Sequence, residues 1–232
     1  GEYAYMTDKY YLTDNFSDVD TADRTDFEIF TEQISYERNT LNRKQYASQG
    51  GFFKTSFRYV EGIELYVPGS TALVRDSNEK FHHWVIVKLN YEKYFKNGIF
   101  YKPGVMIEGV WSGQSLFSNY TASSLSAPAF QPTPETKTLF LQRFRAHKYL
   151  AAGIKNVFTI KKVFELRLEA YLYQPYQLII ENPANGQPVY ADPLVHQYII
   201  AMASIVAHTP IGPISVGGNY YHKEKEPFTF LF

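Results

Sequence analysis

Hydrophobic and polar side chains alternate along Val163–Gln174, and this is the clearest pattern in the chain. Successive side chains of a β-strand point to opposite faces, so the segment is predicted to be a strand with one apolar and one charged face. The apolar face would carry Phe164, Leu166, Leu168, Ala170 and Leu172, and the other face Glu165, Arg167, Glu169, Tyr171 and Tyr173.

Similar alternation recurs in segments rich in β-branched and aromatic residues, separated by Gly, Pro, Asn and Asp. These segments predict about twelve strands. They are Tyr3–Leu12, Phe27–Arg38, Gly51–Tyr66, His82–Tyr94, Phe100–Leu116, Thr136–Arg145, Tyr149–Ile160, Val163–Tyr173, Tyr176–Asn182, Val195–His208, Pro213–Tyr221 and Phe228–Phe232. We therefore expect an all-β fold, an antiparallel up-and-down β-barrel of about 10–12 strands forming a single domain over residues 1–232.

The predicted connections between these strands differ in length. Lys161-Lys162 and Thr209–Pro213 are short, whereas Ser118–Glu135 and Pro183–Pro193 are long and polar. Short turns at one end and long loops at the other are typical of bacterial outer-membrane barrels. The alternative is a soluble β-barrel or sandwich, in which strands also alternate.

Composition narrows the function classes. The chain has 232 residues, of which 45% are hydrophobic, 17% aromatic and 20% charged, and it has no run of about 18 apolar residues that would predict a transmembrane helix. Barrel strands need only about 9–11 alternating residues each, which fits a mean hydropathy of −0.30. A formal net charge of zero gives no support for nucleic-acid binding. The absence of cysteine excludes disulfides and thiolate metal sites.

The C-terminal third of the chain resembles a known family. His208–Tyr221 contains a Pro-Ile-Gly-Pro turn followed by a strand, and Pro227–Phe232 supplies a final aromatic strand. Three upstream features occur in an order that resembles the bacterial surface-antigen superfamily. They are Phe144-Arg145-Ala146, Gly153 and the strand that ends at Gln174-Pro175. This superfamily includes the outer-membrane assembly factor, and the barrel of Bacteroidetes patatin-like phospholipases is the most similar member.

That resemblance implies a function and a location. It implies the outer membrane, contact with membrane lipid, and a C-terminal fragment of a protein whose full barrel has sixteen strands. It also implies an N-terminal passenger, a patatin-like lipase domain, ahead of Gly1. In that superfamily an arginine from a loop enters the lumen, which makes Arg145 the matching residue here. Arg145, Glu165, Arg167 and Glu169 are therefore candidates for a lumenal charge network, because charges away from bulk water need partners. The alternative is that these charges form the solvated face of a sheet.

No catalytic or metal site is predicted. A patatin activity requires a Gly-x-Ser-x-Gly elbow, and Ser112-Gly113-Gln114-Ser115 lacks that pattern. The acidic residues Asp14, Asp18, Asp20 and Asp23 lack the spacing of an EF-hand and are interpreted as a solvated loop. The chain itself is thus expected to be neither an enzyme nor a cofactor-binding protein. The two functional hypotheses are a barrel module that anchors and helps to translocate an N-terminal domain, and a soluble barrel or sandwich that binds a small apolar ligand in its interior.

Overall fold

The computed structural model describes residues 1–11, 15, 17–73, 75–95, 98–161 and 163–231. Four predicted positions lie outside these ranges, namely the strand end at Leu12, Asp14 of the acidic loop, the turn residue Lys162 and the terminal Phe232. None of the helices described is long and apolar enough to cross a membrane.

Ten antiparallel strands form one sheet, and a separate two-stranded hairpin is inserted after the seventh. The strands are β1 Glu2–Tyr10, β2 Asp23–Asn39, β3 Gly51–Val67, β4 Asn78–Tyr94, β5 Tyr101–Ser112, β6 Lys148–Lys161, β7 Phe164–Pro175, β8 Ile179–Glu181, β9 Pro188–Tyr190, β10 Tyr198–Thr209, β11 Gly212–Tyr221 and β12 Phe228–Leu231. The sheet order is β1-β2-β3-β4-β5-β6-β7-β10-β11-β12, with β8 paired to β9. The predicted all-β, up-and-down antiparallel fold is confirmed.

The outer face of the sheet is apolar, and the inner face carries charged residues beside buried aromatic and aliphatic ones. In β7, Leu168 and Leu172 are 42% and 45% exposed, while Arg167 and Glu169, which flank Leu168, are 2% and 6% exposed. The same strand carries Tyr173 inward, fully buried. Soluble sheets normally expose a polar face, whereas the exposed outer face of this sheet is apolar.

The connection between β5 and β6, residues 113–147, packs against the inner face of the sheet; we call it the interior segment. It contains helix α1, Tyr120–Ser126, whose first N–H groups bond to the side chain of Asn119. Phe144 of this segment is fully buried and lies 5.6 Å from the ring of Tyr173 and 5.7 Å from that of Tyr198, measured between centroids. The interior is thus filled by chain rather than left empty.

The predicted strand Thr136–Arg145 is wrong. This stretch contains two turns of 3-10 helix, Glu135–Lys137 and Gln142–Phe144, instead of a strand. The backbone groups of the preceding turn bond locally, since Thr136 Oγ1 donates to the carbonyl of Thr133 at 2.7 Å and accepts from its N–H at 3.2 Å. Apolar side chains in this stretch pack on the inner aromatic residues. The stretch is therefore hydrophobic because it is packed in the interior, and not because its side chains alternate along a strand.

The region after β7 also differs from the prediction. The expected strand Tyr176–Asn182 is reduced to Ile179–Glu181, and it pairs with Pro188–Tyr190, which was not predicted. The Asn185-Gly186 turn connects them, and Gly186 has a positive φ of 68° that favours glycine. The two short strands therefore form a hairpin outside the main sheet.

The two ends of the sheet carry different connections. At one end lie residues 68–77, the interior segment 113–147 and the stretch 176–197, and we call it the long-connection end. At the other end the connections are residues 40–50, 95–100, 162–163 and 210–211. The longest of these, 40–50, does not extend away from the sheet: its Tyr46 hydroxyl lies 2.9 Å from Ser215 Oγ of β11 and donates to Glu135 of the interior segment at 2.9 Å. We call residues 40–50 the interior loop.

Candidate functional site

The inner face of β7 places three of the four predicted site residues together. Alternation aims Glu165, Arg167 and Glu169 in the same direction, and all three are nearly completely buried. A guanidinium nitrogen of Arg167 lies 2.9 Å from Glu169 Oε1 and another lies 3.4 Å from Glu165 Oε2. These three residues, with Arg43 of the interior loop, form what we call the inner charge cluster.

Arg167 is the centre of this cluster. Besides its carboxylate partners it donates to the carbonyls of Tyr46 and Ala47, at 3.1 and 2.9 Å, and to the hydroxyl of Tyr94 at 3.1 Å. Each guanidinium nitrogen therefore has a partner, as a buried arginine requires. The contacts attach the interior loop to β7, although the two are separated by some 120 residues of chain.

Glu165 joins the cluster to further elements. It accepts from the guanidinium of Arg43 at 3.0 Å, and its other oxygen lies 3.1 Å from Nε2 of His208 on β10. Charge-assisted bonds of this kind are stronger than neutral ones and fix geometry. The carboxylate thus connects β7, the neighbouring strand and the interior loop.

Arg145, the fourth predicted residue, lies apart from the cluster. Its guanidinium donates to the carbonyls of Leu125 and Ala127, at 2.8 and 3.1 Å, and lies 4.8 Å from the centre of the Phe140 ring. All of these partners belong to the interior segment. Arg145 thus holds the fold of that segment and makes no ion pair with Glu165 or Glu169 among the ion pairs that the structure describes.

Sequence analysis missed a second group of inward charges on β4, β5 and β6. Lys155 pairs with Glu92 at 2.9 Å, and Lys88 pairs with Glu108 at 3.1 Å. Glu108 also accepts from the hydroxyl of Tyr149 at 2.6 Å. The alternation within each strand contained the signal, because it places these charges on the face opposite the apolar residues. The cross-strand register that joins them is not visible in a single strand.

A polar cavity of about 440 Å³ lies between these charges, the interior loop and the interior segment. Its basic lining residues are Lys44, Lys88, Lys137, Lys155 and Arg167, and its acidic ones are Glu92, Glu108 and Glu169. The hydroxyl of Tyr171 also donates to Glu169 close to this cavity. The arrangement offers a hydrated, charged path or a site for a polar segment of chain, and its charged lining does not suit an apolar ligand.

The acidic loop ahead of β2 does not gather a metal site in the described part of the chain. Asp20 accepts from the N–H of Ser17 at 2.8 Å and from the hydroxyl of Ser70 at 2.7 Å, and these hydrogen bonds lower the pKa of its carboxyl. Asp23 is buried and accepts from the N–H of Gly69 at 2.6 Å. Asp14 lies outside the described residues. The two carboxylates therefore organise the loop by local hydrogen bonds.

Comparison with known proteins adds no relative. No family model matches the chain, and searches of curated proteins and of solved structures likewise return no match. The functional argument therefore depends on the geometry described above.

Proposed function

We propose that the chain is the C-terminal part of a bacterial outer-membrane β-barrel, which anchors an attached N-terminal domain and helps to translocate it. The apolar outer face of the sheet carries this proposal. Large apolar side chains point outward on six neighbouring strands, where they form what we call the apolar belt: Phe57, Leu89, Trp111, Ile154, Leu168 and Ile205, each 40% exposed or more.

Lipid is the solvent in which this arrangement is stable. In water, a contiguous apolar surface across many strands is unfavourable and leads to association. In a bilayer the same surface is matched by hydrocarbon, and the antiparallel sheet pairs its backbone groups between strands.

The unequal ends of the sheet support the same proposal. Outer-membrane barrels have short periplasmic turns and longer extracellular loops. The long-connection end, with residues 113–147 and 176–197, fits the extracellular side, and the end with residues 162–163 and 210–211 fits the periplasmic side.

The interior fits a module that acts mechanically. The interior loop and the interior segment occupy much of the space beside the sheet. The inner charge cluster holds the interior loop, and Tyr46 of that loop bonds to Glu135 of the interior segment. The remaining polar cavity of about 440 Å³ would be hydrated. The nature of the attached domain, a patatin-like lipase, is inferred from the family resemblance and from no feature of the sheet.

The alternative of a soluble barrel with an apolar ligand at its centre is less favoured. Such proteins line the central cavity with apolar side chains and expose polar ones. Here the cavity is lined by charged side chains such as Lys155 and Glu108, while Leu168 and its outward neighbours face away from it.

Detergent dependence and gel mobility test the proposal together. We expect the purified 232-residue chain to require detergent or lipid for dispersal. We also expect it to migrate differently on a denaturing gel before and after boiling, because an outer-membrane barrel stays folded in dodecyl sulfate until it is heated. The boiled sample of the same preparation is the control. A chain that is monodisperse in plain buffer, with one mobility in both samples, would contradict the proposal.

A further inference from the structure

Three polar side chains from separate segments meet at the long-connection end of the sheet. Glu64 lies near the end of β3, His82 near the start of β4, and Ser115 at the start of the interior segment. Glu64 Oε2 lies 2.7 Å from His82 Nε2, and His82 Nδ1 lies 2.9 Å from Ser115 Oγ. The order of contacts is carboxylate, imidazole, hydroxyl, which is that of a serine hydrolase triad.

The hydrogen bonds assign the tautomer of the histidine. Glu64 Oε1 accepts from the N–H of Ser118 at 2.7 Å, so this carboxylate is held by a donor on one oxygen and faces His82 with the other. A carboxylate only accepts, so Nε2 of His82 carries a proton, and in the neutral imidazole this leaves Nδ1 as the acceptor. This nitrogen accepts from the hydroxyl of Ser115, as a general base must.

The carboxylate and the imidazole are buried, whereas the hydroxyl that would act as the nucleophile is exposed. Glu64 is 0% exposed and His82 is 4% exposed, whereas Ser115 is exposed to solvent. The His82 ring is enclosed by the rings of Phe27, Trp84 and Phe117, with centroid distances of 6.1, 6.4 and 4.8 Å. The base and its carboxylate are thus shielded from water and fixed, and the nucleophile remains accessible.

Two further features lie near the triad. The structure describes no hydrogen bond donated by the N–H groups of Ser115 and Leu116, which leaves both free to bond to a substrate oxygen. The rings of Phe27, Trp84 and Phe117 beside the imidazole also line a cavity of about 490 Å³, although none of the three triad residues is among its lining residues. These apolar rings are the surface that an acyl group would contact.

We propose that Ser115, His82 and Glu64 form a second functional site, a hydrolase site for carboxylic esters with an apolar acyl group. This goes beyond anchoring and translocation. The expectation that the chain is not an enzyme rests on the missing nucleophile elbow, and a triad assembled from three separate segments does not need that motif. Ser115 and His82 are the catalytic residues, and Glu64 is a positioning residue.

The reaction requires only the ester and water. Ser115 Oγ attacks the ester carbonyl carbon and its proton passes to His82 Nδ1. The tetrahedral intermediate collapses, the bond to the alcohol oxygen breaks, and His82 returns the proton to the leaving alcohol. Water then attacks the acyl-serine and gives a proton to His82, which passes to Ser115 Oγ as the carboxylic acid leaves.

Hydrolysis of p-nitrophenyl butanoate and labelling by a fluorophosphonate test the proposal. We expect the wild-type chain to hydrolyse the ester and to carry the phosphonyl group on Ser115, identified by mass spectrometry of the peptide. Ser115→Ala should lower kcat by at least about 100-fold and abolish the label. Ser77→Ala, which removes an exposed serine from the connection between β3 and β4, is the matched control and should change neither.

Glu64→Gln tests the positioning role. The amide can donate to Nε2 and so favour the wrong tautomer, and kcat should fall by about 10³-fold with KM unchanged. Near-ultraviolet circular dichroism verifies that each variant remains folded. Folded wild-type protein without phosphonyl label on Ser115, or a Ser115→Ala variant as active as the wild type, would overturn the proposal. Neither result depends on whether the chain partitions into lipid.

Discussion

Arg167→Ala is expected to lower the free energy of unfolding by about 3–5 kcal/mol, because it leaves buried carboxylates without their cation. Glu165 and Glu169 are 2% and 6% exposed, so water cannot replace the lost guanidinium. The substitution also removes the donors to the carbonyls of Tyr46 and Ala47, which attach the interior loop. The midpoint and slope of urea unfolding, followed by tryptophan fluorescence, measure the effect.

Two variants make the result specific. Arg38→Ala, at an exposed position of β2, removes the same side chain without a buried partner and should change stability by no more than about 0.5 kcal/mol. Arg167→Met combined with Glu169→Gln should recover part of the loss, because it removes the unpaired charge together with its partner. Equal stability of Arg167→Ala and Arg38→Ala would show that the cluster does not hold the fold.

Leu168→Arg is expected to cost about 2–4 kcal/mol when the chain is folded in lipid vesicles, since it places a cation on the apolar belt. Leu168 is 42% exposed and points outward near the middle of β7. At a half-exposed site in water the same substitution would change stability by only about 0.5 kcal/mol. Reversible urea titration of folding into vesicles gives the difference.

The control for this substitution is Val19→Arg. Val19 is 87% exposed and belongs to the connection between β1 and β2, away from the belt. It receives the same new charge, and the proposed orientation predicts no significant loss of stability. If Leu168→Arg and Val19→Arg have the same effect, the outer face of β7 does not contact hydrocarbon.

The strands were predictable because their signal is local. The alternation of Val163–Gln174 has a period of two, and a period of two determines the face of each side chain once the strand forms. The register could not be read in the same way, since it depends on which strands become neighbours. Tyr171 illustrates this: its ring lies over Gly153 of β6, where a Cβ would come within 2.2 Å of the ring.

The interior was not predictable from local pattern. Thr136–Arg145 has the composition of a strand, yet it packs inside the sheet, where hydrophobic side chains are needed whatever the backbone conformation. Arg145 could be assigned to the interior by resemblance, but its acceptors, the carbonyls of Leu125 and Ala127, are set by the fold of the segment itself.

The candidate sites show the same limit. Glu165, Arg167 and Glu169 were found because they are two residues apart on one strand. Arg43 joins them from the interior loop, and Ser115 meets His82 only through the path of the interior segment. Contacts between residues far apart in the chain are fixed by the tertiary fold, and no spacing in the sequence encodes them.

A spin label on the outer face tests directly whether this face of the sheet contacts lipid. The chain contains no cysteine, so Ala203→Cys, outward on β10, and Ser77→Cys, in an exposed connection, can each be labelled with a nitroxide at a single site. In lipid vesicles, we expect the label at position 203 to collide freely with oxygen and to be protected from an aqueous nickel complex. We expect the label at position 77 to be accessible to the nickel complex and to collide less with oxygen. Equal access of the nickel complex to both positions would contradict a lipid-facing sheet.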